Sequence, residues 1–87
     1  MGYELILHPQ AKRELDRVPH EFFQRIDAAI CALHGNSRPV GVKKLERNLY
    51  RIRVGDWRVI FAIFDQDRRI VVLRVVRRSE KTYRNLS

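Results

Sequence analysis

The run LYRIRVGDWRVIF, residues 49–61, constrains the fold of this 87-residue chain more than any other stretch. Two alternating segments flank Gly55-Asp56, the kind of pair that forms a two-residue hairpin loop. A loop that short fixes the register: Val54 faces Trp57, Arg53 faces Arg58, Ile52 faces Val59 and Arg51 faces Ile60. One face then carries Tyr50, Ile52, Val54, Trp57, Val59 and Phe61, while Arg51, Arg53 and Arg58 share the other. Like charges directly opposed on a sheet destabilise it by about 0.2–1 kcal/mol. Stability alone does not favour such a face, so an anionic partner is expected for it.

Around this hairpin the chain reads as one α+β domain spanning residues 1–87. YELILH (3–8) alternates as a strand, and Pro9 suits the first turn of a helix, where a missing N–H costs nothing. Ala11, Leu15 and Val18 follow helical spacing up to Pro19. A second helical stripe, Phe22, Ile26, Ala29/Ile30 and Leu33, runs to Gly35, read as its C-terminal cap. NSRPVG (36–41) is a loop, and VKKLERN leads into the sheet. Strands are expected at 49–54, 57–64 and 70–76, with DQDRR (65–69) as the second hairpin loop. Strands 57–64 and 70–76 are apolar on both faces, which assigns them to the sheet interior. The architecture is βααβββ, a helical hairpin packed on a mostly antiparallel sheet.

Charge is distributed unevenly along this frame. Residues 1–36 hold four Lys/Arg against five acids, whereas residues 37–87 hold fourteen against five, a net +9 within a total of +8. The second half is therefore suited to a polyanion, either nucleic acid or an acidic protein segment. Cys31 stands alone in an apolar helical run and reads as a buried, inert thiol. With no secretory signal pattern and no membrane-length apolar stretch, a cytoplasmic location is expected. His8, His20 and His34 share no ligand spacing with Cys31, and the four glycines form no phosphate loop, so neither metal nor cofactor is expected.

The 49–61 run, an acidic turn, the apolar strand IVVLRVV and the ending RRSEKTYR together resemble the RelE/ParE superfamily of bacterial and archaeal toxins, as does the opening HPQAKRELDRVP. The resemblance covers nearly the whole chain in order. It implies a microbial-ribonuclease-like fold and a toxin held inactive by a cognate antitoxin, monomeric alone and hetero-oligomeric with that partner. For RelE-type members it further implies cleavage of mRNA on the ribosome; for ParE-type members, inhibition of DNA gyrase without nuclease chemistry. Carried over by position, Arg51 and Arg53 fall where RelE-type toxins have catalytic basic residues, Arg58 on the basic residue of the next strand, Arg78 on the arginine ending the last strand, and Tyr83 on the C-terminal tyrosine. Many relatives have His-Arg where this chain has Arg77-Arg78, so a proton-carrying histidine is missing here.

Those residues fit a metal-independent reaction in which the RNA 2′-hydroxyl attacks the adjacent phosphate. Guanidinium groups stabilise charge on phosphorus, and Tyr83, with a reference pKa of about 10, can serve as base if neighbouring cations lower it by about 1–3 units. Lys43, Lys44, Arg77 and Lys81 are candidate RNA contacts, as is Arg74 if pairing of Phe64 with Ile70 carries it opposite Ile60. Each position has a plainer alternative: solvated strand residues at 51 and 53, an ion pair of Arg58 with Asp56 or Asp65, and an edge aromatic at 83.

Overall fold

A computed structural model describes residues 2–77. The 49–61 hairpin forms with the expected pairing, from Val54 opposite Trp57 to Arg51 opposite Ile60. Gly55 turns it with φ +60, a conformation that suits glycine as the first loop residue of a type II′ turn.

The elements follow in the order β1 (Glu4–Leu7), α1 (Pro9–Asp16), α2 (His20–Ala32), β2 (Lys43–Glu46), β3 (Leu49–Val54), β4 (Trp57–Phe64) and β5 (Arg69–Arg77). They build a five-stranded sheet in the order β1-β5-β4-β3-β2, with β1 parallel to β5 and every other pair antiparallel. As their two-sided apolarity required, β4 and β5 lie inside the sheet. β2 adds a strand to the expected four. It is short, lysine-rich and irregular between Lys44 and Glu46, features that suit an exposed edge and give no strong alternation to read.

The helical hairpin covers one face. Ala11, Leu15, Val18, Ile26, Ile30 and Leu33 meet Tyr50, Val59, Phe61, Ile63, Ile70, Val72 and Val75 in one buried cluster. Burying each of the larger side chains contributes about 1.5–3 kcal/mol relative to leaving it in water. α1 opens with Pro9 in its first turn, preceded by His8, whose Nδ1 accepts a hydrogen bond from the Gln10 N–H at 3.2 Å. Two expectations about α2 are corrected. It closes at Leu33 rather than at Gly35, because the chain leaves through αR geometry and Ala32 O accepts from the Gly35 and Asn36 N–H groups without a left-handed cap. Cys31 is exposed, lying off the stripe that Ile26, Ile30 and Leu33 press into the core. Among the described residues no helix is long and apolar enough to cross a membrane.

The second hairpin turns through residues 65–68, with Arg68 at φ 48. Phe64 pairs with Arg69, not with Ile70, yet Ile60 still faces Arg74, because the register shifts by one residue at Leu73. The shift falls where the β1 pairing, which ends at Val72, no longer covers β5. There α1 supplies what the sheet lacks: Glu14 accepts the Val75 N–H at 2.8 Å and grips the Arg74 guanidinium at 2.9–3.2 Å. One carboxylate thus satisfies an unpaired backbone group and neutralises a strand arginine.

Candidate catalytic and RNA-binding face

Because side chains alternate across a pleated sheet, the residues between those of the helix-covered core line the opposite face. That second face carries Lys43 and Glu46 from β2, Leu49, Arg51 and Arg53 from β3, Arg58, Ile60, Ala62 and Phe64 from β4, Arg69, Val71 and Val76 from β5, and Glu4 and Ile6 from β1, with Arg51, Arg58, Ile60, Ala62 and Val76 buried and Lys43, Arg53, Phe64 and Arg69 exposed. By register it holds two acids, Glu4, which accepts from Arg69 at 3.0 Å, and Glu46, opposite Leu49 at the β2 edge. Four cations gather on β2, β3 and β4, where Lys43 is the register partner of Arg51, and Arg53 that of Arg58.

Burial separates these arginines in a way that alternation alone could not. Arg51 keeps 7% of its surface exposed and Arg58 3%, whereas Arg53 is exposed. Within Arg51, Nε and Nη1 are buried and have no hydrogen-bond partner among the described residues. A desolvated guanidinium normally holds a carboxylate or several acceptors, since removing its hydration without replacement costs several kcal/mol. The arrangement is suited to accepting an anion, whose oxygens would restore the missing bonds.

The other candidate positions divide. Lys44 pairs with Tyr50 and Arg77 with Trp57, both on the helix-facing side by register, although Lys44 and Arg77 are themselves exposed. Arg74 reaches the expected position opposite Ile60, but its charge is committed to Glu14. Arg78, Lys81 and Tyr83 lie outside the described residues. Of the alternatives for Arg58, Asp65 is taken by another arginine.

That arginine is Arg38, which sequence reading did not single out. Its Nη2 donates to Asp65 Oδ2 at 2.8 Å and to the Tyr50 hydroxyl at 3.2 Å, with the guanidinium 5.1 Å from the Tyr50 ring centre. Tyr3 donates to Asp65 Oδ1 at 2.7 Å. The cluster ties the 36–42 loop to β1, β3 and the second hairpin, and no local signal links residues so far apart in sequence. Arg38, followed by Tyr3, holds the Asp65 carboxyl below its ordinary range, and the Arg38 guanidinium is correspondingly raised. A carboxyl depressed in the folded state stabilises above its unfolded pKa, and that contribution is lost as pH falls through the lower folded value. Asp65→Asn should therefore flatten the decline in thermal midpoint from about pH 4 downward. Superimposable wild-type and variant acid limbs would show that the cluster does not contribute in this way.

At the end of that face away from Arg51, residues Arg47, Asn48, Phe64, Asp65, Gln66 and Asp67 line an open cleft of about 410 Å³. Phe64 is 39% exposed there, although Phe61 and Ile63 on the same strand are buried.

The family model for the ParE toxin of type II toxin–antitoxin systems, parDE, matches residues 5–82. A relative from Methanocaldococcus jannaschii named as toxin RelE1 is 27% identical over 90 residues, spanning 98% of this chain and 99% of its own. Among solved structures, an archaeal RelE–RelB complex from Pyrococcus horikoshii superposes with a TM-score of 0.83 at 30% identity, covering 92% of this chain and 99% of that one. The isolated E. coli RelE toxin, at 17% identity, shares the fold with a TM-score of 0.76 over 97% of this chain and 95% of its own.

Proposed function

The chain belongs to the RelE/ParE family of toxins from type II toxin–antitoxin modules, and on that premise we propose that it is a RelE-type endoribonuclease that cuts mRNA on the ribosome and thereby stops translation. The observation that carries this reading is the buried Arg51 guanidinium, with two nitrogens that have no hydrogen-bond partner among the described residues, sharing one sheet face with Arg53, Arg58 and Lys43. Fixed, desolvated positive charge stabilises a phosphorane more than the ground-state diester. In the proposed reaction the message's own 2′-oxygen attacks phosphorus as its proton passes to the Tyr83 phenolate. The bond to the 5′-oxygen then breaks, and that oxygen takes a proton from water. Arg51, Arg53, Arg58 and Arg78 stabilise the added negative charge. Lys43, Lys44, Arg77 and Lys81 contact flanking phosphates, while Arg74, neutralised by Glu14, is the weakest of the proposed RNA contacts. An apparatus without histidine benefits from a partner that aligns the reacting atoms, which is the role given to the ribosome.

A cognate antitoxin is the proposed regulator. Similar toxins are seen in RelE–RelB complexes, and the charge of residues 37–87 suits an acidic or amphipathic segment laid against the arginine-bearing half of the chain. The match to a ParE model favours a second reading, in which the chain inhibits DNA gyrase without cutting RNA. Programmed ribosomes followed by primer extension, run beside a gyrase supercoiling assay, separate the two. The nuclease reading requires new message ends with supercoiling intact; an uncut message with supercoiling lost would replace it with the ParE reading.

A further inference from the structure

We propose that the cleft around Phe64 is a nucleobase subsite, preferring bases that carry an exocyclic amine, for the RNA strand whose phosphates lie on the arginine cluster. The inference rests on the nuclease reading above and adds to it a place where sequence is read. Three observations carry it. The first is the ring itself: Phe64 ends the most buried strand of the sheet, lies on the same sheet face as the arginines, and remains exposed where Ile60 and Ala62 on that face are buried. An exposed aromatic surface on a cationic sheet offers a stacking platform, and each base so stacked contributes about 1–3 kcal/mol.

The second is the polar lining. Arg47 supplies a cation for a phosphate, while Asn48, Gln66 and Asp67 offer amide and carboxylate groups near the ring. Asp65 is already engaged by Arg38 and Tyr3, which leaves Asp67 as the carboxylate available to a ligand. A carboxylate accepts from the amino group of cytosine, adenine or guanine, whereas uracil presents a carbonyl oxygen at the corresponding position. The third is spacing. Arg51 faces Ile60, and the four strand residues from Ile60 to Phe64 cover ~13 Å. That distance is a span of a few nucleotides, and the cleft is held in place: the Ile63 N–H donates to Asn48 O at 2.9 Å, locking the β2–β3 turn against β4.

The test uses the full chain and short labelled single-stranded RNAs, with fluorescence anisotropy reading affinity for oligocytidine, oligouridine and an abasic ribose-phosphate chain of equal length. Oligocytidine should bind about 5- to 100-fold more tightly than the abasic chain, with oligouridine between them. Phe64→Leu, which keeps an apolar residue of similar bulk, should close the gap to the abasic chain. Asp67→Asn should remove the preference for cytidine over uridine while leaving the gap largely in place. Arg53→Ala should weaken all three RNAs together. Equal wild-type affinity for oligocytidine and the abasic chain would overturn the subsite, as would an undiminished gap in a folded Phe64→Leu protein, or a Phe64→Leu defect confined to antitoxin binding. None of those results touches cleavage on ribosomes. An intact message on ribosomes with the stacking gap present would overturn the nuclease reading instead.

Discussion

Tyr83→Phe should cut ribosome-bound message about 10²–10⁴ times more slowly than the wild-type chain in single turnover, with ribosome binding nearly unchanged. The substitution keeps the ring and removes only the hydroxyl, so a residue that merely packs would lose little. A phenol is a weak base at neutral pH, and its place in the proposed reaction depends on cations near it. The deficit should accordingly shrink as pH rises and hydroxide takes over the proton, provided the ribosome stays intact. Deficits equal at every pH would demote Tyr83 to a positioning residue. Full activity of the variant would remove it from the mechanism.

Arg58→Ala should lower the same rate by about 10²–10³, the scale on which one preorganised donor to a developing oxyanion acts. Its deficit should persist at high pH, because what is lost is fixed charge and not a proton acceptor. Arg58 is almost fully buried on an interior strand, so the variant's thermal midpoint must be measured beside its rate. Arg58→Lys provides the second check: it restores charge but not the planar fork, and should recover only part of the activity. A folded Arg58→Ala chain that cuts at the wild-type rate would remove Arg58 from the mechanism and reduce the arginine face to a docking surface.

The two predictions depend differently on what the sequence reveals. The first hairpin was legible pair by pair, because a two-residue loop and strict alternation leave one register between Gly55 and the core. The sheet interior was legible for the same reason in reverse: only strands covered on both faces read as WRVIFAIF or IVVLRVV. The second hairpin was not, since the shift at Leu73 is tied to where β1 ends and where Glu14 of α1 takes the Val75 N–H, a contact 61 positions away. β2 escaped notice because an edge strand of Lys-Lys-Leu-Glu owes its conformation to pairing with β3 more than to any pattern of its own.

The site divides along the same line. Alternation was enough to gather Arg51, Arg53 and Arg58 on one face, and the resemblance was enough to assign them a role. It could not separate the desolvated Arg51 and Arg58 from the exposed Arg53, because depth in a sheet is set by neighbours on other strands. Nor could it reveal that Arg74 is spent on Glu14, or that Arg38 and Asp65 join Tyr3 and Tyr50 in one cluster. Cys31 failed for a related reason: an apolar run has more than one side, and the core took the other one.

The chemistry at the centre of this account is attack by the message's own 2′-hydroxyl at phosphorus held by the arginine face. A single-turnover reaction on programmed ribosomes, with one 2′-deoxynucleotide placed immediately upstream of the scissile phosphate, tests it directly. The all-ribose message should be cut to leave an upstream fragment ending in a 2′,3′-cyclic phosphate, while the deoxy-substituted message should remain whole at that position. Cutting of the deoxy message at the same site would contradict the account, because the nucleophile would then have to come from elsewhere.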